Sequence, residues 1–87
     1  MPQSQTRTDV GDGFGLIMRR FRQQRGWSLA QLGRATKMHP TYLGVLERGA
    51  NLPTLQTVFR IADVLGVAPA DLVREVDEYR RGFWKKG

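Results

Sequence analysis

The sequence predicts an all-α domain of five short helices, on three observations. Apolar residues recur at helical spacing in five separated runs, most runs begin or end on a recognisable cap, and no segment alternates with the period of two that a strand requires. The chain has 87 residues, enough for one small domain that buries about 60–65% of its unfolded surface.

The elements follow in order. Residues 1–11, MPQSQTRTDVG, are polar without a sustained apolar period and read as a disordered arm, bounded at residue 12. GDGFG, Gly11 to Gly15, has no strand before it and no lysine at phosphate-loop spacing after it, so it reads as a flexible lead-in. Phe14, Ile17, Met18 and Phe21 then form the i, i+3, i+4, i+7 stripe of the first helix, which stops near Gly26. Ser28 with Gln31 makes a capping box for the second helix, with Trp27 placed to staple onto Leu32. Gly33, inside that helix, costs about 1 kcal/mol against alanine, which implies that another helix passes too close for a side chain. After the turn at Thr36–Lys37–Met38, Pro40 opens a third helix with Met38, Leu43 and Leu46 as a narrow apolar side, ending at Gly49. Thr54 caps a fourth, with Leu55, Val58, Phe59, Ala62 and Leu65 expected inward before Gly66. Pro69 opens a fifth, with Leu72, Val73 and Val76 expected inward. The domain proper is expected over residues 13–77, followed by a basic, aromatic extension over 78–87.

Composition narrows the function classes. There is no cysteine and a single histidine, His39, which argues against disulfides, thiolate chemistry and a histidine metal cluster. No run approaches the ~18 apolar residues of a membrane span, and no secretory pattern opens the chain, so a cytoplasmic setting is the default expectation. The formal net charge is +6, unevenly placed: +5 over residues 1–48, −3 over 49–79 and +4 over 80–87. A basic half next to an acidic one points to an anionic partner rather than to evenly scattered solubilising charge. The second and third helices are short, joined by a turn of three to four residues, and lie in that basic half. This is a helix-turn-helix arrangement, and the narrow apolar stripe of the third helix leaves its other faces available.

The run RRFRQQRGWSLAQLGRATKMHPTYLGVLERGANLPTL, with ADVLGVAPADL after it, resembles the DNA-binding domain of lambda Cro/repressor-type regulators, the XRE family, over about residues 14–76. The segment around Tyr42 to Asn51 is especially similar to restriction–modification controller proteins. The resemblance implies a lambda-repressor-like fold and double-stranded DNA as partner. It also implies an ion pair between Arg22 and Glu47 tying the first helix to the third, with a direct phosphate contact as the alternative for Arg22. The chain departs from the family pattern at Leu29, Gly33, Lys37, Pro40 and Gly44, where glutamine, alanine, glycine, a polar residue and serine are usual. Domain identity survives these changes; operator specificity is not inherited through them.

Within this frame the expected base contacts are His39, Pro40, Thr41, Gly44 and Val45, in the first turns of the third helix, with His39 also a candidate cap. Ser28 and Leu29, at the donor-rich start of the second helix, together with Arg34, Lys37, Tyr42, Arg48 and Asn51, are expected at phosphates. In the tail, the stripe Leu72, Val76, Tyr79, Phe83 outruns the core, so Tyr79, Phe83 and Trp84 are expected to meet a second copy, helped by exposed residues of the fourth helix; folding back is the alternative. The expected function is a sequence-specific transcription regulator acting as a homodimer on a roughly two-fold operator. An antitoxin, a DNA-binding module of a larger regulator, or a protein-interaction module without base readout are the other readings. No enzyme active site, metal or cofactor is expected, while an unidentified protein partner or effector stays open.

Overall fold

In the computed structural model, which describes residues 8–82, the first helix begins earlier than its apolar stripe suggests. Helix α1 spans Asp9–Gln24, and Thr8 caps it by accepting from the Gly11 N–H at 2.9 Å. Asp9 and Asp12 occupy the first turn, where the helix dipole favours negative charge. The expected arm and flexible lead-in are therefore corrected over residues 9–15, which are helix. Gly13 and Gly15 are there for close approach rather than flexibility. A Cβ on Gly13 would lie 2.7 Å from the Tyr79 ring, and one on Gly15 would lie 2.5 Å from the Glu47 carbonyl oxygen.

Helix α2 (Leu29–Thr36) starts at the capping box, Ser28 accepting from the Gln31 N–H and the Gln31 amide accepting from the Ser28 N–H. It ends at Lys37, whose φ of 63° is the only left-handed non-glycine backbone among the described residues. Helix α3 (Pro40–Glu47) follows, then α4 (Leu55–Leu65) behind its Thr54 cap and α5 (Pro69–Arg80). Because α5 runs to Arg80, residues 78–80 of the expected extension are still helix. The described residues contain no strand.

The core is Phe14, Ile17 and Met18 of α1, Leu32 of α2, Leu43 and Leu46 of α3, Val58, Ile61, Ala62 and Leu65 of α4, and Leu72 and Val76 of α5. α1 packs along α5 and across α3, while α2 packs on α3 and α4. Three residues expected inward are exposed: Leu55 at 68%, Phe59 at 48% and Val73 at 48%. The buried arc of α4 is Val58, Ile61, Ala62 and Leu65, a complete i, i+3, i+4, i+7 face, which leaves Phe59 on its flank and Leu55 on the first turn at the rim of the core. Gly33 is tight for a different reason from the one its position suggested. A Cβ there would meet the Met38 carbonyl oxygen at 2.7 Å and the Pro40 ring at 3.2 Å, so the turn and the start of α3 fill the space, not a passing helix.

The Gly15 crossing sets a stability expectation. Gly15→Ala should destabilise the domain by roughly 1–3 kcal/mol, since the obstructing atoms are backbone and α1 must move away from α3. Urea unfolding followed by circular dichroism measures it; an unchanged midpoint would show that the crossing can relax.

Candidate nucleic-acid interface

The helix-turn-helix unit is fastened to α1 by one side chain. The Arg22 Nε donates to Glu47 Oε2 at 2.6 Å, its Nη2 to Glu47 Oε1 at 2.9 Å and its Nη1 to the Trp27 carbonyl at 2.7 Å. The carboxylate is 7% exposed and the guanidinium 12%. The fork-on-carboxylate geometry holds the Arg22 pKa above its ordinary value against the opposing effect of burial. Three anchor points are fixed at once: the end of α1, the residue before the α2 cap, and the end of α3.

The start of α3 is built from local chemistry. His39 is the N-cap, its Nδ1 accepting from the Thr41 N–H at 3.1 Å, and Pro40 occupies the first helical position, where no N–H is needed. His39 and Thr41 are exposed, and Tyr42 and Val45 half-buried. Two of the residues expected at bases are otherwise engaged. Gly44 is buried, and a Cβ on it would sit 3.4 Å from the Arg48 guanidinium and 3.5 Å from Leu29 Cδ1, ordinary contact distances for two side chains that lie across α3 at this point. Pro40 is half-buried, with its ring turned towards Gly33. The outward set at the first turn is thus His39 and Thr41, with Val45 one turn on.

Ser28, Arg34, Lys37, Arg48 and Asn51 are exposed as well, the last two at and just beyond the far end of α3. Leu29 is half-buried against the core, so only its backbone N–H, one of the helix-start donors without an intrahelical acceptor, remains for an anion. Periodicity did not single out Gln56, Thr57 and Arg60 of α4. With Met38 and Tyr42 they line a cleft of about 360 Å³ beside the start of α3. Arg60 also donates to the Thr36 carbonyl at 3.3 Å, tying α4 to the end of α2. Arg60 is one of two basic residues in the acidic stretch 49–79, the one signal that could have marked it. Of the tail residues, Tyr79 is half-buried and its ring lies against Gly13 of α1, a correction to its expected place against a second copy; Phe83 and Trp84 lie outside the described residues.

Residues 14–76 match the family model described as a helix-turn-helix domain. The chain belongs to the helix-turn-helix family, XRE type. The domain is 44% identical over 50 residues to the HTH-type transcriptional regulator SutR of Escherichia coli, an alignment covering 58% of this chain and 28% of SutR. It therefore spans about a quarter of that regulator's length. Among solved structures it is similar to the clp gene regulator ClgR of Corynebacterium glutamicum, with a TM-score of 0.78, 28% identity and coverage of 83% of this chain and 77% of that one. The restriction–modification controller protein C.AhdI of Aeromonas hydrophila has a TM-score of 0.68 and 28% identity, over 74% of this chain and 96% of the controller. The biofilm regulator SinR, solved in complex with DNA, has a TM-score of 0.65 and 26% identity, over 69% of this chain and 97% of SinR.

For this XRE-type domain the Arg22 anchor can be weighed. Arg22→Ala should cost about 3–5 kcal/mol, because it leaves the Glu47 carboxylate buried without its partner. Adding Glu47→Gln to that variant should recover part of the loss. Thermal unfolding of the two variants checks this, and equal stability of the single and double variants would mean that the charge itself is not the source of the cost.

Proposed function

We propose that this domain is a sequence-specific double-stranded DNA-binding transcription regulator that acts as a homodimer on a roughly two-fold operator. The observation that carries the reading is the exposed first turn of α3, His39 and Thr41, in a helix-turn-helix unit that also exposes Arg34, Lys37 and, at the other end of α3, Arg48. A helix end of this size enters the major groove, where its first turn meets base edges and flanking cations meet phosphates. The DNA complex of SinR, on a similar fold, supports the same use here.

In this reading Thr41 reads a base, by its hydroxyl or by its methyl against a thymine methyl, and Val45 adds apolar contact one turn on. Ser28, the Leu29 N–H, Arg34, Lys37, Tyr42, Arg48 and Asn51 set the register on the backbone. Thr41→Ala should lower affinity for the selected operator by roughly 1–3 kcal/mol and leave random duplex nearly unaffected. Arg48→Ala should weaken both alike and reduce the salt slope by about one unit. Fluorescence anisotropy over a salt series separates the two effects. Absence of any salt-dependent duplex binding would favour the protein-interaction reading instead.

The partner copy is assigned to a surface other than the tail. Val10, Leu52, Leu55, Phe59 and Val73 are exposed large apolar residues, and four of them line one groove of about 290 Å³ with Pro53. Phe59 lies one turn beyond Leu55 on the same side of α4. Along α5, beside the groove, Asp71 pairs with Arg74, and Asp77 with Arg80 and Arg81. An apolar strip flanked by both signs is self-complementary, which is what an isologous two-fold contact needs. A two-fold operator presents successive major grooves about 34 Å apart, the spacing that the two α3 helices of such a dimer have to meet. Leu55→Asp should give a folded monomer in sedimentation at micromolar concentration. A variant still dimeric there would remove this face from the interface, whereas cutting the chain at Tyr79 would also strip a ring packed on α1.

A further inference from the structure

The cap on α3 has a chemical consequence for what α3 can read. N-caps are most often hydroxyls, carboxylates or amides, whose oxygens are short acceptors; here the acceptor is an imidazole. A neutral imidazole carries one donor nitrogen and one acceptor nitrogen, and an imidazolium has no acceptor. For Nδ1 to accept from the Thr41 N–H, 3.1 Å away, the ring must take its Nε2–H tautomer. Nε2 lies across the ring from the capping nitrogen, on an exposed residue two positions before the outward Thr41. The polar atom offered next to Thr41 is therefore a donor only.

We propose that the Thr41 N–H holds His39 in its Nε2–H form, and that His39 thereby excludes cytosine at one position of each operator half-site. The inference rests on the DNA-binding reading above. In the major groove guanine presents N7 and O6, adenine N7 and thymine O4 as acceptors, whereas cytosine presents only its N4 amino donor. An uncommitted histidine can meet either edge, because the proton moves to whichever nitrogen suits the base. The cap removes that freedom: a donor facing the cytosine amino group is left unpaired, and the pair is rejected. Helix capping and base discrimination are thus one hydrogen-bond system, shared by the two nitrogens of a single ring.

Two measurements test it. Long-range proton–nitrogen correlation spectra of the DNA-free protein should show a neutral His39 ring protonated at Nε2; a proton on Nδ1 overturns the proposal without touching the DNA-binding reading. Operators are then selected from a random duplex pool with the wild type and with His39→Ser, which keeps an N-cap but does not reach the groove. The wild type should exclude cytosine at one position where the serine variant tolerates it. Placing cytosine at that position should cost the wild type roughly three- to tenfold in affinity, the weight of one hydrogen bond, and the variant less than about twofold by the same reasoning. Identical selected sequences from both proteins would overturn the role of His39 and leave the regulator reading intact. An equal loss by the serine variant on all duplexes, with a smaller salt slope, would overturn it too, by assigning Nε2–H to a phosphate. No enriched sequence from either protein would bring down the regulator reading and this inference together.

Discussion

The crossing of α1 over the end of α3 is the constraint on which the rest of the domain depends. Gly15 lets the two backbones touch, and Arg22, two turns further along α1, grips Glu47 at the last position of α3. Removing either charge from water is unfavourable, and their mutual attraction offsets this only because the fork is complete and the remaining donor finds the Trp27 carbonyl. The arrangement therefore contributes more to geometry than to net stability. It fixes the axis of α3, and through Trp27 the start of α2, relative to the longest helix in the molecule. It also neutralises the only acidic side chain between Gly13 and Asp63, the stretch that carries the proposed DNA surface.

That economy extends to the other cations. The basic half of the chain is not uniformly a binding surface. Arg22 is committed to Glu47, and Arg25 lies 4.7 Å over the Trp27 ring and donates to the Leu65 carbonyl at the end of α4. Arg20 bridges to Glu75 across the α1–α5 contact. What remains in the helix-turn-helix unit is Arg34 in the last turn of α2, Lys37 in the turn and Arg48 at the end of α3, all exposed. Lys37 is informative because its backbone is left-handed, a conformation that costs a side-chain-bearing residue roughly 1 kcal/mol and that glycine adopts freely. Carrying a cation there at that cost is consistent with a charge that acts on a partner.

Helix content was largely legible in the sequence because caps and stripes are local. Ser28 with Gln31, Thr54 with its helix, and Pro40 and Pro69 at first positions act within a few residues of the elements they start. What was not legible depends on neighbours far along the chain. Three glycines at the start of α1 read as flexibility because the Tyr79 ring and the end of α3, which require two of them, are tens of residues away. Leu55, Phe59 and Val73 read as core because periodicity reports which face is apolar, not what covers it. For the same reason Gly44 and Pro40, placed at the groove by their position in α3, are taken up by contacts with α2 and Arg48. Arg60 escaped because its partner, the Thr36 carbonyl, is a backbone group with no sequence signal of its own.

Those misreadings share a direction that bears on how the molecule works. Residues judged inward that prove exposed lie on α4 and α5, whereas on α3 Gly44, judged outward, proves buried and Pro40 half-buried. An 8-residue helix such as α3 is too short to be stable alone, so it needs contacts on every side that DNA does not require. Leu43 and Leu46 face the core, Pro40 faces Gly33, and Gly44 accepts Leu29 and Arg48. Little more than the capped first turn is left over, and a rigidly held first turn suits base readout better than a longer, looser exposed face. The longer α4 and α5 bury one full stripe each and still have apolar surface to spare. In the proposed reading, readout and association fall to different helices for a reason of length: the eight-residue α3 is consumed by support, while the longer α4 and α5 keep a face for a second molecule.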